Sequence, residues 1–129
     1  MKIQSYKELI VWQKSIQLVK EIYKLTLLFP KSEQFVIISQ IHRAAISIPS
    51  NTAEGYARRS HKEYLQFYAI AYGSALEVET QLIISKELGL APAESFRKLE
   101  ELLIEVIKML YVMVYRGKGG MNKRIVNSV

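Results

Sequence analysis

The stretch FRKLEELLIEVIKMLYVM, at residues 96–113, carries the pattern that decides the fold. Its apolar positions recur at spacings of 3, 4, 3, 4 and 3, which places them along one side of an α-helix packed nearly parallel to its neighbours. These positions are Phe96, Leu99, Leu103, Val106, Leu110 and Met113. The other side of its first half is charged, so we expect an amphipathic helix with one side in a core.

The same spacing predicts a first helix from about Ser5 to Phe29, which stops at Pro30 because proline cannot continue it. Two adjacent apolar stripes give this helix an unusually wide apolar face. One stripe comprises Leu9, Trp12, Ile16, Val19 and Tyr23, and the other comprises Val11, Leu18, Ile22, Leu25 and Phe29.

Capping residues set the limits of the second and third helices. Ser32 is the expected N-cap of the second helix, and Gly55 is expected to end it in the left-handed conformation. Ser60 and Glu63 form a capping box that starts the third helix, and Gly89 closes it.

Four long helices joined by short connections predict an all-α, antiparallel, up-down-up-down four-helix bundle. Residues 1–117 are expected to form this domain. Residues 118–129 are expected to be a flexible basic tail, because they are polar and contain glycine.

The composition argues against most enzyme classes. The 129 residues include no cysteine, and all 12 acidic residues are glutamates, so thiol chemistry and a Ser-His-Asp triad are excluded. Neither His42 nor His61 follows a glutamate by three residues, so the Glu-x-x-His motif of di-iron bundles is missing. We interpret both histidines as surface or cap-adjacent residues. We expect no catalytic residue, no metal and no cofactor.

The location follows from similar considerations. No apolar run approaches the ~20 residues that a membrane span needs. The first residues, MKIQSYK, have no apolar signal core. Together with the absence of cysteine, this predicts a cytoplasmic protein with no membrane partner.

The final helix changes character after Lys108, where every face becomes apolar. Contacts within a small bundle cover one side of such a helix, and the remainder calls for another subunit. The expected interface residues are Met109, Tyr111, Val112, Val114 and Tyr115. The alternative is that the tail folds back over this surface.

Positive charge is concentrated in two places within a chain of net charge +6. Arginine binds phosphate through bidentate contacts, and tyrosine can stack on unpaired bases. Both clusters are therefore candidate nucleic-acid contacts, although a solvated loop and a helix C-terminus also favour basic residues. The first cluster comprises Tyr56, Arg58, Arg59, Lys62 and Tyr64, and the second comprises Arg116, Lys118, Lys123 and Arg124.

Several motifs resemble those of the 23S rRNA intervening-sequence protein family, the bacterial four helix bundle proteins, over about residues 6 to 115. The resemblance rests most on QIHRAAISIPSNTAEG at residues 40–55, supported by LIVW at 9–12, FPKSE at 29–33, YLQF at 64–67 and AYGSALEVET at 71–80. It implies a bundle that assembles into a homopentameric ring. It also implies kinship with the accessory variability proteins of diversity-generating retroelements, which work with RNA. Arg43, within the longest motif, joins the candidate nucleic-acid contacts.

These observations favour a non-enzymatic, homo-oligomeric bundle that binds RNA or DNA through its basic clusters. The alternative is a protein-interaction scaffold whose ring docks a partner protein and has no nucleic-acid role.

Overall fold

The structure, a computed structural model, describes residues 4–116, and these form four α-helices and no β-strand. The helices are α1 (Ile10–Thr26), α2 (Ser39–Tyr56), α3 (His61–Glu87) and α4 (Arg97–Tyr115). Both α1 and α3 pack against α2 and α4. The Lys86–Glu100 ion pair at one end and the Tyr72–Tyr115 ring contact further along show that α3 and α4 run antiparallel. The prediction of an all-α fold is confirmed.

The core lies between the four helices, where the seam of α4 faces the other three. All six seam positions, from Phe96 to Met113, are at most 2% exposed. The α3 side of the core contains a series of smaller residues, Ala71, Ala75 and Val78, which are fully buried. Small side chains at these positions allow neighbouring helices to approach closely.

The two predicted apolar stripes of α1 differ in their burial. The core stripe is the second one, because Val11, Leu18 and Ile22 are almost completely buried. Leu9 of the first stripe is fully buried, but the rest of that stripe turns away from the core: Trp12, Ile16 and Val19 are half-buried, and Tyr23 is 42% exposed.

The limits of α1 are narrower than predicted. A 3-10 turn, Tyr6–Glu8, precedes it, and the Ser5 side chain caps this turn by accepting from the Lys7 amide. The extended backbone of Leu9 separates the turn from the helix. The helix ends at Thr26.

Two predictions about the second helix were wrong. A 3-10 turn, Lys31–Glu33, and a π-helical turn, Gln34–Ile38, lead into α2, and no side chain caps the start of either turn or of α2 itself. Ser32 is therefore not an N-cap. Gly55 is not left-handed but lies buried inside α2, where a Cβ atom would come within 2.6 Å of Cε1 of Tyr68. Its role is to let α2 and α3 approach each other.

Both predicted ends of α3 are confirmed. The Ser60 hydroxyl accepts from the Glu63 amide at 3.1 Å. At the other end Gly89 has a φ of 69°, the Leu90 amide donates to the Ser85 carbonyl, and the Gly89 amide donates to that of Lys86. This is a Schellman closure.

A polar network links α2 to α3 beside Pro49, which is buried within α2. The hydroxyls of Ser47 and Ser74 are 2.8 Å apart, and the Asn51 amide donates to the Ser47 carbonyl at 2.9 Å. The Thr52 hydroxyl donates to the Ile48 carbonyl. Proline has no N–H to donate, and these side chains supply polar contacts in the same two turns.

None of the helices in residues 4–116 is long and apolar enough to cross a membrane. The predicted tail, residues 118–129, lies outside the described residues.

Candidate nucleic-acid interface

The corner between α2 and α3 gathers the first basic cluster at one end of the bundle. We call Arg58, Arg59 and Lys62 the basic corner, with Tyr56 and Tyr64 on either side. Residues 57–60 form the connection, so these cations lie between the C-terminus of α2 and the first turn of α3. The partial negative charge of the α2 C-terminus favours cations here.

Arg58 is held in place by its own helices. Its Nη2 lies 2.8 Å from a carboxylate oxygen of Glu54, and its guanidinium carbon lies 4.5 Å from the centre of the Phe67 ring. Both contacts occupy the guanidinium and the Glu54 carboxylate offsets its charge. Arg58 therefore has a largely structural position.

Arg59 and Lys62 are exposed, and neither forms an ion pair with another described residue. They are the two cations of the basic corner that remain available to an anionic ligand.

The tyrosines of the corner face inward rather than outward. The Tyr64 hydroxyl lies 2.7 Å from Nδ1 of His61, its ring centre is 5.3 Å from that of Tyr68, and burial raises its pKa. Tyr56 is also half-buried against the core. Neither ring is positioned as an open platform for stacking bases.

Tyr68, a core residue of α3, completes this aromatic cluster. It is 1% exposed, and its buried hydroxyl has no hydrogen-bond partner among the described residues. Burial, followed by the nearby Tyr64 and Tyr56 hydroxyls, raises its pKa far above the usual value. The phenol therefore stays protonated.

A second aromatic and basic cluster lies at the end of α4, around Arg116. The rings of Tyr72, Tyr111 and Tyr115 have centres 4.8 to 6.1 Å apart. Tyr72 and Tyr111, together with Lys108 and Arg116, line a shallow groove of about 250 Å³. The sequence reasoning missed Tyr72 and Lys108 here, because their approach depends on the register of α3 against α4.

The remaining candidate cations lie farther from the basic corner. Arg43 lies 13 residues before Tyr56 on α2, which corresponds to about 20 Å along a helix. The Tyr72 that contacts α4 lies 11 residues after His61, so Arg116 is separated from the basic corner by roughly 15 Å along the bundle axis. Lys118, Lys123 and Arg124 lie outside the described residues.

The predicted interface at the end of α4 is only partly exposed. Met109 is 6% exposed and belongs to the core, which leaves little of its side chain for an intersubunit contact. Tyr111 and Tyr115 are 43% and 54% exposed, and Val112 and Val114 are half-buried.

No group of three or more His, Cys, Asp or Glu side chains that could hold a metal ion occurs in residues 4–116. The His42 ring stacks on Tyr23 with centres 3.8 Å apart, and its Nε2 lies 2.9 Å from the Thr26 hydroxyl. Burial lowers its pKa.

Comparison with known proteins identifies the family of this chain. A family model described as 23S rRNA-intervening sequence protein matches residues 7–112. The chain belongs to the 23S rRNA-intervening sequence protein family. The resemblance noted in the sequence is thereby confirmed.

A solved structure shows that the fold of this 23S rRNA-intervening sequence family member recurs. It is the crystal structure of a protein of unknown function from the S23 ribosomal protein family of Bacteroides thetaiotaomicron. The two chains share 24% identity over 82% of this chain and 99% of that one, with a TM-score of 0.73. No curated protein matches.

The family match covers the basic corner, all of α1, α2 and α3, and most of α4. It ends at residue 112, before Tyr115 and Arg116. The second cluster therefore combines residues inside the matched region with residues beyond it.

Proposed function

We propose that the chain is a non-enzymatic, cytoplasmic homo-oligomer that binds RNA or DNA through the phosphates, using the basic corner of each subunit. The observation that carries this proposal is the pair Arg59 and Lys62. Both are exposed, lie within one turn of each other, and have no ion-pair partner among the described residues. Phosphate contacts of this kind supply the sequence-independent part of nucleic-acid affinity.

Self-association strengthens the proposal, because each copy would add another basic corner to the assembly and raise the local field. Its support is the amount of apolar surface that the single chain leaves exposed. Three surfaces contribute: the end of α4 around Tyr115, the first stripe of α1, and the outer side of α3. Apolar surface of this extent is typical of interaction sites.

The test is fluorescence anisotropy with labelled RNA, single-stranded DNA and duplex DNA over a range of salt concentrations. Affinity should fall linearly in a log–log plot against salt. Replacing the two free cations, Arg59→Gln with Lys62→Gln, should flatten the slope by about 2 per engaged corner on duplex DNA. It should weaken all sequences about equally, because phosphate contacts do not read bases.

The matched control removes the same charge from the opposite end of the bundle, with Lys31→Gln and Lys98→Gln. Both lysines are exposed, and the ion pair of Lys98 with Glu21 is long, at 3.6 Å. The control should keep both the slope and the affinity. Equal losses in the two variants would show that only net charge matters, and absence of binding by the intact protein to all three ligands would reject the nucleic-acid role.

A second candidate function is a scaffold that docks a partner protein. It is favoured by an apolar end of the bundle, opposite the basic corner, where Leu27 and Phe35 are 84% and 89% exposed and Leu28 and Val36 are more than half exposed. A groove of about 560 Å³ adjoins this surface. Rejection of nucleic-acid binding in the anisotropy experiment would leave this candidate as the better one.

A further inference from the structure

The outer side of α3 has the pattern of a helix that packs along another helix. Five residues on this side recur at spacings of 4, 3, 4 and 3, which is the spacing of the contact residues where two helices pack side by side. We define the outer face of α3 as Ala69, Gly73, Leu76, Thr80 and Ile83.

No helix of the described chain covers this face. Leu76 and Ile83 are 37% and 52% exposed. A Cβ atom built on Gly73 would meet nothing within 4 Å, and Gly73 does not have a positive φ. Glycine costs about 1 kcal/mol relative to alanine inside a helix. Neither the backbone nor the packing of the described residues accounts for this glycine, whereas the close approach of another helix would.

The polar member of the face is compatible with burial. The Thr80 hydroxyl donates to the Leu76 carbonyl at 2.9 Å, so covering it leaves no unmade hydrogen bond.

A second unpartnered apolar surface lies elsewhere on the bundle, between α1 and α2. We define the α1–α2 groove by the apolar residues that line it, and its volume is about 380 Å³. They are Tyr6, Trp12, Ile16, Val19, Ile46, Pro49 and Ala53. Ile46 is 44% exposed, and Trp12, Ile16 and Val19 are half-buried. Trp12, Ile16 and Val19 belong to the first stripe of α1, which is only partly buried beyond Leu9.

The charges of the two surfaces are opposite. Between residues 64 and 85, α3 has two charged residues, Glu77 and Glu79, and both are acidic. The groove is lined by Lys20, and Arg43 is exposed one turn before Ile46. Lys20 and Arg43 form no ion pair with another described residue. Opposed charge at the rim of apolar surfaces steers and orients association.

We infer that the outer face of α3 in one copy docks into the α1–α2 groove of the next copy. The contact is heterologous, since it joins two different surfaces, and a docked pair leaves one groove and one α3 face for further copies. Such a contact closes into a ring when the rotation permits and does not make a two-fold dimer. This inference rests on the proposed self-association and does not depend on nucleic-acid binding.

A mixing experiment tests the pairing of the two surfaces. The α3-face variant carries Leu76→Glu and Ile83→Glu, and the groove variant carries Ile16→Glu and Ile46→Glu. Each should run as a monomer in sedimentation velocity with its helical circular dichroism intact. A buried unpaired charge should weaken association by at least about a hundredfold.

Mixed in equal amounts, the two variants should form a 1:1 heterodimer and nothing larger. The groove variant retains an intact α3 face, and the α3-face variant retains an intact groove, so one contact can form and no further copy can add. A control with Leu88→Glu and Ile104→Glu places the same charges at exposed apolar residues outside both surfaces. This control should assemble as the wild type does.

Two results would overturn the pairing: folded variants that remain monomeric when mixed, or variants that assemble as the wild type does. If the substitutions unfold the chain, a charge exchange replaces them. Glu77→Lys and Lys20→Glu should each weaken assembly about tenfold, and together in one chain they should restore it. Failure of the double variant to recover would also reject the pairing. A wild-type monomer at micromolar concentration would instead reject the proposed self-association.

Discussion

Gly55 shows how much a single residue can matter to the packing of α2 on α3. The ring of Tyr68 lies where a side chain at Gly55 would be, with Cε1 and Cδ1 at 2.6 and 2.8 Å from the position of a Cβ atom. Tyr68 is completely surrounded and cannot swing aside. The absence of a side chain is thus required by tertiary contact and not by backbone conformation.

Replacing Gly55 with alanine should therefore lower the free energy of unfolding by about 1–3 kcal/mol, the usual cost of overpacking a core. Gly73→Ala is the matched control when both substitutions are made in the monomeric groove variant, because its added methyl group meets no described atom and no neighbouring copy is present there. That variant should be neutral or gain up to about 1 kcal/mol from helix propensity. Urea denaturation at one protein concentration measures both, and equal effects of the two substitutions would contradict the packing argument.

His42 makes stability depend on pH. Burial lowers its pKa from the usual 6.5, so the folded state disfavours the protonated ring. This contribution is present above the unfolded pKa and is lost as the pH falls through the folded pKa. The urea midpoint should decline between about pH 7.5 and 5.5, where histidine titrates and most carboxylates do not.

His42→Gln should flatten this decline, whereas His61→Gln should leave it in place. Gln can still hydrogen-bond the Thr26 hydroxyl, so the comparison isolates the ionisation from the 2.9 Å contact. An unchanged slope in His42→Gln would show that another group controls the pH dependence.

Among the elements, α3 connects most of the features described above. Its first turn contains Lys62 of the basic corner, its inner side packs most extensively against α2, and no described helix covers its outer face. Its start depends on the Ser60 side chain, which satisfies a backbone amide that no helical carbonyl can reach.

Ser60→Ala should lower the free energy of unfolding by about 0.5–2 kcal/mol through loss of this cap. Ser60→Asp retains the acceptor and places a negative charge at the helix N-terminus, so its stability should stay close to that of the wild type. Thermal denaturation followed by circular dichroism distinguishes the two. If Ser60→Asp lost as much stability as Ser60→Ala, the hydrogen bond would not be the source of the effect.

At the scale of the whole molecule, the antiparallel topology separates two kinds of surface. The basic corner lies at one end of the bundle, and the most exposed apolar residues, such as Leu27 and Phe35, lie at the other end, where α1 and α3 finish. The outer face of α3 and the α1–α2 groove run along the sides. Copies joined through the outer face of α3 and the α1–α2 groove would leave both ends of each bundle uncovered. Every basic corner would then stay accessible to a polyanion.

Local patterns in the sequence were enough to predict the four helices, the seam of α4 and the two ends of α3. Hydrophobic periodicity, an N-cap and a left-handed glycine each depend on residues within a few turns of one another. The motifs at residues 40–55 were likewise sufficient for the family, and the position of the basic corner followed from the short connection between α2 and α3.

Tertiary structure alone decided which apolar stripe of α1 enters the core, that Gly55 serves packing, and that Arg58 is held by Glu54 and Phe67. It also decided that Met109 is buried and that Tyr72 joins the tyrosines of α4. Each depends on which neighbour a helix meets and in which register. A periodic pattern shows that a helix has an apolar side, but contacts between residues distant in sequence determine whether that side faces its own core or remains exposed.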